Sequence, residues 1–269
     1  MKGHYRHVMK PGIIVSNLTP KANIAAYVER ILVIEAHQIT SPFSLPLFAN
    51  GSPTLVFNSV RGTIKKEPTT NLTLFGQTIL PETLTFTEDF TLIAYFFKPY
   101  ALGALFHLTA PELTDNPVDL NLILPSKTAR LQEQVLNAGP TAAQIALLDN
   151  YIAALVAASK TDSPIIKYAT TKIANNTSIE VLPWVQKELH ITTRTFQRMF
   201  EKNIGLSPNL YRRICQFNSA FWQLNNRRFD KLSDIALQNG YADQSHYIRA
   251  FKEFTALTPK DYLNLGAKP

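Results

Sequence analysis

The sequence predicts an α+β protein built in two parts. Residues 1–160 read as a β-rich barrel or sandwich with helices at its C-terminal end, and residues 163–269 as an all-α domain. Three observations carry this. Short β-prone runs separated by turn residues fill the stretch from Leu18 to Phe97. Apolar residues recur at helical spacing beyond Tyr100. One helical pattern then occurs twice in the last third of the chain. A length of 269 residues is enough for two separate cores.

In the first part, Leu55-Val56-Phe57, 72–75, 83–87 and 91–97 are short runs rich in Val, Thr, Phe and Leu, several of them alternating. Asn50-Gly51-Ser52-Pro53, Arg61-Gly62, Gly76 and Pro81 separate them as turn signals. Residues 21–30 read as a short helix ahead of the sheet. After the sheet, 127–138 and 141–158 read as two helices split by Gly139-Pro140. On the second, Ile145, Leu148, Ile152, Leu155 and Val156 fall on one stripe, which is either packed on its own domain or available to a second copy of the chain.

Charge divides the chain more sharply than composition does. Residues 1–162 hold 12 basic and 12 acidic side chains, so the whole net charge of +7 lies in residues 163–269, with 15 basic and 8 acidic. A basic excess confined to one domain favours a polyanionic partner. The single cysteine, Cys215, excludes an internal disulfide and a multi-cysteine zinc site. No signal-peptide core or uninterrupted apolar span of membrane length stands out, so a cytoplasmic protein without membrane contact is expected. His37 and His107 are isolated, and Asn50-Gly51-Ser52-Pro53 lacks the lysine and spacing of a phosphate loop. No catalytic residue, metal ligand or cofactor is therefore assigned.

The repeat lies between 192 and 262. Shifting the chain so that Thr192 falls on Asp243 places Phe196 on Tyr247, Arg198 on Arg249 and Phe200 on Phe251. Ser207-Pro208 then falls on Thr258-Pro259 and Tyr211 on Tyr262. Each copy has an N-cap, a buried aromatic stripe, an outward arginine and a Ser/Thr-Pro restart. In the second copy Ser233 is expected to cap a helix that Gly240 ends. Pro208 to Asn225 forms the connecting helix, with Ile214, Phe217, Phe221 and Leu224 as its apolar stripe. Two short helices about a tight turn, with a polar and basic face on the second, make a helix-turn-helix.

The segments ITTRTFQRMFEKNIGLSPNLY and GYADQSHYIRAFKEFTALTPKDY resemble the AraC/XylS-type bacterial transcription regulators, whose DNA-binding domain carries two such units on one long helix. The resemblance covers roughly Ser163 to Leu265. GSPTLVFN and FKPYAL carry a weaker resemblance to the sensor-like, often cupin-like, domains found before it. Three features depart from the pattern. Pro183 would interrupt a helix begun by a Thr177/Glu180 capping box, so that helix kinks or starts near Leu182. His190 and Ala256 stand where turns usually carry glycine.

The reading that follows is a sequence-specific DNA-binding transcription regulator, not an enzyme. In the first unit, Thr193, Arg194, Thr195, Gln197 and Arg198 point outward; in the second, Gln244, Ser245, His246 and Arg249 do. Arginine pairs with two acceptors of guanine, and glutamine with adenine, while hydroxyls near a helix start suit phosphate or thymine methyl. Arg212, Arg213, Arg227 and Arg228 are candidate phosphate contacts, with Arg212 and Arg213 equally suited to a solvated face of the connecting helix. Double-stranded DNA is the expected partner. RNA polymerase, a small-molecule effector and a second copy bound through the N-terminal domain are further candidates. A fragment 163–269 is expected to bind duplex DNA alone. The competing reading is a small-molecule-binding barrel whose C-terminal helices mediate protein contacts.

Overall fold

The computed structural model describes residues 12–123, 125–159 and 163–265. Strands β1 (Ile13–Leu18), β2 (Val28–Ala36), β4 (Thr54–Asn58), β7 (Leu72–Phe75), β9 (Phe90–Phe97) and β10 (Val118–Asp119) form one antiparallel sheet in the order β1-β2-β9-β4-β7-β10. A smaller sheet, in the order β3-β8-β5-β6, is made by β3 (Phe43–Leu47), β8 (Glu82–Phe86), β5 (Thr63–Ile64) and β6 (Glu67–Pro68). The sheets face each other across a core of Leu32, Ile34, Val56, Leu84, Phe86, Leu92 and Ala94.

The large sheet is covered on its other face as well, which is why its central strands are apolar throughout rather than alternating. Ile31, Val33, Phe57, Tyr95 and Phe97 point away from the small sheet and pack under a π-helical turn (Leu102–Phe106) and helices α2 (Pro125–Asn137) and α3 (Thr141–Ala158). A four-residue helix α1 (Leu120–Ile123) precedes α2. By length and apolarity α3 could cross a membrane. Its stripe instead closes the domain: Leu148 and Ile152 are fully buried, so these two residues are ordinary core and not an exposed seam. Asp149, beside them, accepts a hydrogen bond from Tyr95 Oη at 2.8 Å and an ion pair from Lys21 at 3.0 Å.

Residues 21–30 are not a helix. Lys21 to Tyr27 make a tight turn, and Val28 onward joins the sheet, pairing Val28 with Phe97 and Arg30 with Phe96. KANIAAYVER has helical composition, but the ladder offered by β9 overrides it.

The C-terminal part is all-α as expected: α4 (Pro164–Asn175), α5 (Val181–Glu188), α6 (Thr193–Ile204), α7 (Pro208–Asn225), α8 (Leu232–Gln238), α9 (Gln244–Thr255) and α10 (Pro259–Leu265). Pro183 sits in the first turn of α5, where the missing N–H has no partner to lose. The Thr177/Glu180 capping box is not formed; Ser178 Oγ accepts from the Glu180 N–H instead. Ser233 is likewise not the cap of α8. Lys231 is, and its N–H donates to Asp234 Oδ2 at 2.8 Å. His190 (φ 52°) and Ala256 (φ 61°) do adopt the left-handed conformation that their turns demand.

The two parts meet tightly. Ala49, from the loop after β3, is 1% exposed and belongs to the helical core, with Phe48 packed beside it. A fragment 163–269 therefore lacks part of the surface that completes its own core.

Candidate nucleic-acid interface

Each recognition helix starts where the sequence places it, because the cap is a local hydrogen bond. Thr192 Oγ1 accepts from the Thr195 N–H at 3.3 Å, and Asp243 Oδ1 from the His246 N–H at 2.7 Å. Phe196, Phe200 and Ile204 bury one face of α6; Tyr247, Ala250, Phe251 and Phe254 bury one face of α9. The 3.6-residue period then fixes what is left outside. Thr193, Arg194, Thr195, Gln197 and Arg198 are all exposed on α6, and Gln244, Ser245, His246 and Arg249 on α9.

Their side chains differ in how free they are. Thr193 Oγ1 donates to Gln186 Oε1 at 2.7 Å, so this hydroxyl serves the turn first. Gln197 Nε2 donates to Glu201 Oε1 at 3.0 Å, which holds the amide along the helix. His246 Nδ1 lies 3.5 Å from the Ala242 N–H, and its ring stands edge-on to Tyr241. That leaves Nε2 directed away from the turn. Among the described residues, the ion pairs engage none of Arg194, Arg198 and Arg249. Three unpaired guanidinium groups on two exposed helix faces are suited to phosphate or guanine. Lys202 continues the Arg194–Arg198 row at the same four-residue step and is also exposed. The sequence reading missed it, although the spacing alone marks it.

Helix α7 holds the two units in one frame. Toward the first, Arg212 Nη1 donates to the Thr177 carbonyl at 2.7 Å, and Arg212 Nε to Asn209 Oδ1 at 3.3 Å. Arg212 is 8% exposed, so it is a structural strut and not a phosphate contact. Toward the second, Gln216 Nε2 donates to the Asn239 carbonyl at 2.9 Å, and Asn239 Nδ2 to Gln223 Oε1 at 2.7 Å. Arg213 pairs with Glu253 on α9 and is thereby committed within the domain. Arg227 and Arg228 remain exposed beyond α7, Arg228 lying 4.6 Å above the Trp222 ring. Cys215 faces inward, and burial pushes its thiol up to about 12, so it is a packed group and not a nucleophile.

Residues 185–264 match the family of helix-turn-helix domains, and residues 16–119 match a domain of unknown function. The C-terminal segment is thus a helix-turn-helix domain. Among known proteins, the chain is 25% identical over 182 residues to an uncharacterized HTH-type transcriptional regulator of Haemophilus influenzae. The match takes in 61% of this chain and spans about 59% of that relative's length. Among solved structures, the chain is similar to ToxT from Vibrio cholerae bound to (E)-4-(8-methylnaphthalen-1-yl)but-3-enoic acid. The identity is 14% and the TM-score 0.47, over 84% of this chain and 98% of ToxT. It is also similar to the AraC-like transcriptional activator CuxR, at 16% identity and a TM-score of 0.27, over 76% and 85% of the two chains.

Arg198→Ala and Arg249→Ala are each expected to weaken duplex binding by about 1–3 kcal/mol, at different segments of the site, with the melting temperature unchanged. Arg212→Ala is expected to do the reverse, lowering stability by about 1–3 kcal/mol because the Thr177 carbonyl loses its donor. Paired binding and thermal-melt titrations separate the two behaviours.

Proposed function

We propose that this chain is a sequence-specific, DNA-binding transcription regulator that reads two adjacent major-groove segments with α6 and α9. The observation that carries this is a pair of register-matched helices, each with an exposed polar face and an outward arginine, and both packed on one continuous helix. Helix α7 has 18 residues; at 1.5 Å per residue it spans about 27 Å, close to the ~34 Å between successive major grooves on one side of a duplex. The two units run in the same direction, so the site needs no inverted symmetry. The basic excess of residues 163–269 supplies the general attraction, and the outward arginines and glutamines supply discrimination. Such a regulator acts in the cytoplasm, with RNA polymerase as its onward partner. Self-association through the N-terminal domain would use the outer face of α3, where Ala142, Ala146, Asn150 and Ala154 are exposed.

Salt dependence tests the DNA reading against a protein-contact role for the same helices. Neutralising Z phosphates gives a log–log slope of about −0.9Z, so six contacts give a slope near −5. Binding to random and selected duplexes should both follow such a slope, with the selected site retained at higher salt. A flat salt response would favour the protein-contact role.

A second observation favours an effector. Between the two sheets lies a cavity of about 120 Å³ lined by Leu32, Ile34, Val56, Leu84, Leu92 and Ala94. It is closed on the C-terminal side by Phe217, Phe221 and Tyr262. Among the described residues that line it, the charged one is Arg30, stacked 3.4 Å from the Phe96 ring. Largely apolar walls with a guanidinium and a few polar side chains, among them Asn50, Thr54 and Asn218, suit a small amphipathic anion. Medium-chain alkyl carboxylates should raise the melting temperature more than the matching alcohols, and Arg30→Ala should remove the difference. Equal shifts for acid and alcohol in the parent protein would rule out the anion preference.

A further inference from the structure

The two helix-turn-helix units are copies, yet the N-terminal domain packs directly on α6, whereas α9 packs on α7, α8 and α10. The cap at the end of each recognition helix shows the consequence. Helix α6 ends at Gly205 (φ 84°) and α9 at the equivalent Ala256 (φ 61°), both left-handed. The second copy tolerates a Cβ in this conformation, and Ala256 is exposed. Backbone conformation alone therefore does not require glycine here. At position 205 a Cβ would lie 2.6 Å from Thr114 Oγ1 and 2.8 Å from the Ala110 carbonyl oxygen. What excludes a side chain at Gly205 is the N-terminal domain itself.

The contact is bonded as well as close. Thr114 Oγ1 donates to the Gly205 carbonyl at 3.1 Å, which gives this helix-terminal oxygen a partner from the other domain. Nearby, Gly51 (φ 71°) lets the loop after β3 approach α7, with its missing Cβ 3.4 Å from the Tyr211 ring and 3.6 Å from Ile214. Both pieces lead back into the N-terminal domain. Residues 110–114 follow the buried π-helical turn, and Leu47 to Asn50 line the inter-sheet cavity.

We propose that Ala110 and Thr114 form a splint that sets the position of the first recognition helix, whereas the 48–51 loop bears on α7 and α10, which serve both units. These are positioning residues. The splint holds α6 at its C-terminal end, while Arg194 and Arg198 read DNA toward the other. From Gly205 back to Arg194 is a lever of about 16 Å at 1.5 Å per residue, so a small tilt at the cap moves the reading face appreciably. The N-terminal domain thus tunes binding at one half of the site. This rests on α6 and α9 being the DNA readers.

Two full-length variants test it. Thr114→Val removes the interdomain hydrogen bond while keeping the shape, and Gly205→Ala inserts the excluded Cβ. Hydrogen–deuterium exchange needs no DNA: amides in the last turns of α6 should exchange faster in both variants, with those of α9 unchanged. In footprinting, protection at the α6 segment should weaken about fivefold for Thr114→Val. It should weaken about tenfold or more for Gly205→Ala, with the α9 segment largely retained. If Gly205→Ala does not fold, Thr114→Val decides. Equal responses of α6 and α9, or none in either, overturn the splint. Selective exchange at α6 without any footprint of the parent protein would instead count against the DNA reading and leave the splint standing.

Discussion

Burial of one face of α7 is the constraint on which the rest of the C-terminal half depends. Phe217 meets Phe251 at 5.7 Å and Phe254 at 5.2 Å, and Phe221 meets Tyr262 at 5.1 Å and Phe48 at 5.7 Å. Aromatic pairs at these separations add to the area they bury, and interlocked rings leave few alternative packings. One helix thereby fixes α9, α10 and the N-terminal loop together. Its polar flank does the same with hydrogen bonds, through Arg212 toward the first unit and Gln216 and Gln223 toward the second. Buried struts of this kind both restrict geometry and hold stability, since the acceptors they reach would otherwise be unsatisfied.

On the proposed reading, that rigidity would join two surfaces into one reader, because a fixed separation makes binding of the second helix effectively intramolecular. The N-terminal domain adds a further level. Its inter-sheet cavity ends against the same aromatic cluster, with Phe217, Phe221 and Tyr262 serving as both cavity wall and helical core. The cavity thus shares a wall with the frame that spaces α6 and α9.

Local physics was legible in the sequence, and long-range physics was not. Thr192, Asp243, Ser207 and Thr258 act as caps because the cap, the acceptor and the first turn lie within three residues. The outward faces of α6 and α9 follow from the helical period once Phe196, Phe200, Tyr247 and Phe251 are recognised as buried. The strands β1, β2 and β3 escaped notice, since Val28–Ala36 becomes a strand by pairing with β1 on one edge and, on the other, with β9 more than fifty positions away. Arg212 looked like a phosphate contact because sequence cannot show that the Thr177 carbonyl faces it. The docking of residues 48–51 and 110–114 on the helical domain was equally invisible, although Gly205, set against Ala256 in the other copy, is its trace in the sequence.

The central claim is that α6 and α9 read one side of the duplex as a rigid pair. Inserting about 5 bp between the two contacted segments turns one to the far side of the DNA, while inserting about 10 bp restores the face at a longer spacing. Affinity measured by titration on these duplexes is the most direct test. The account predicts loss of one footprint and a large fall in affinity with the half-turn insertion, and no recovery with the full turn, because α7 cannot lengthen. Unchanged affinity on the half-turn duplex would contradict it.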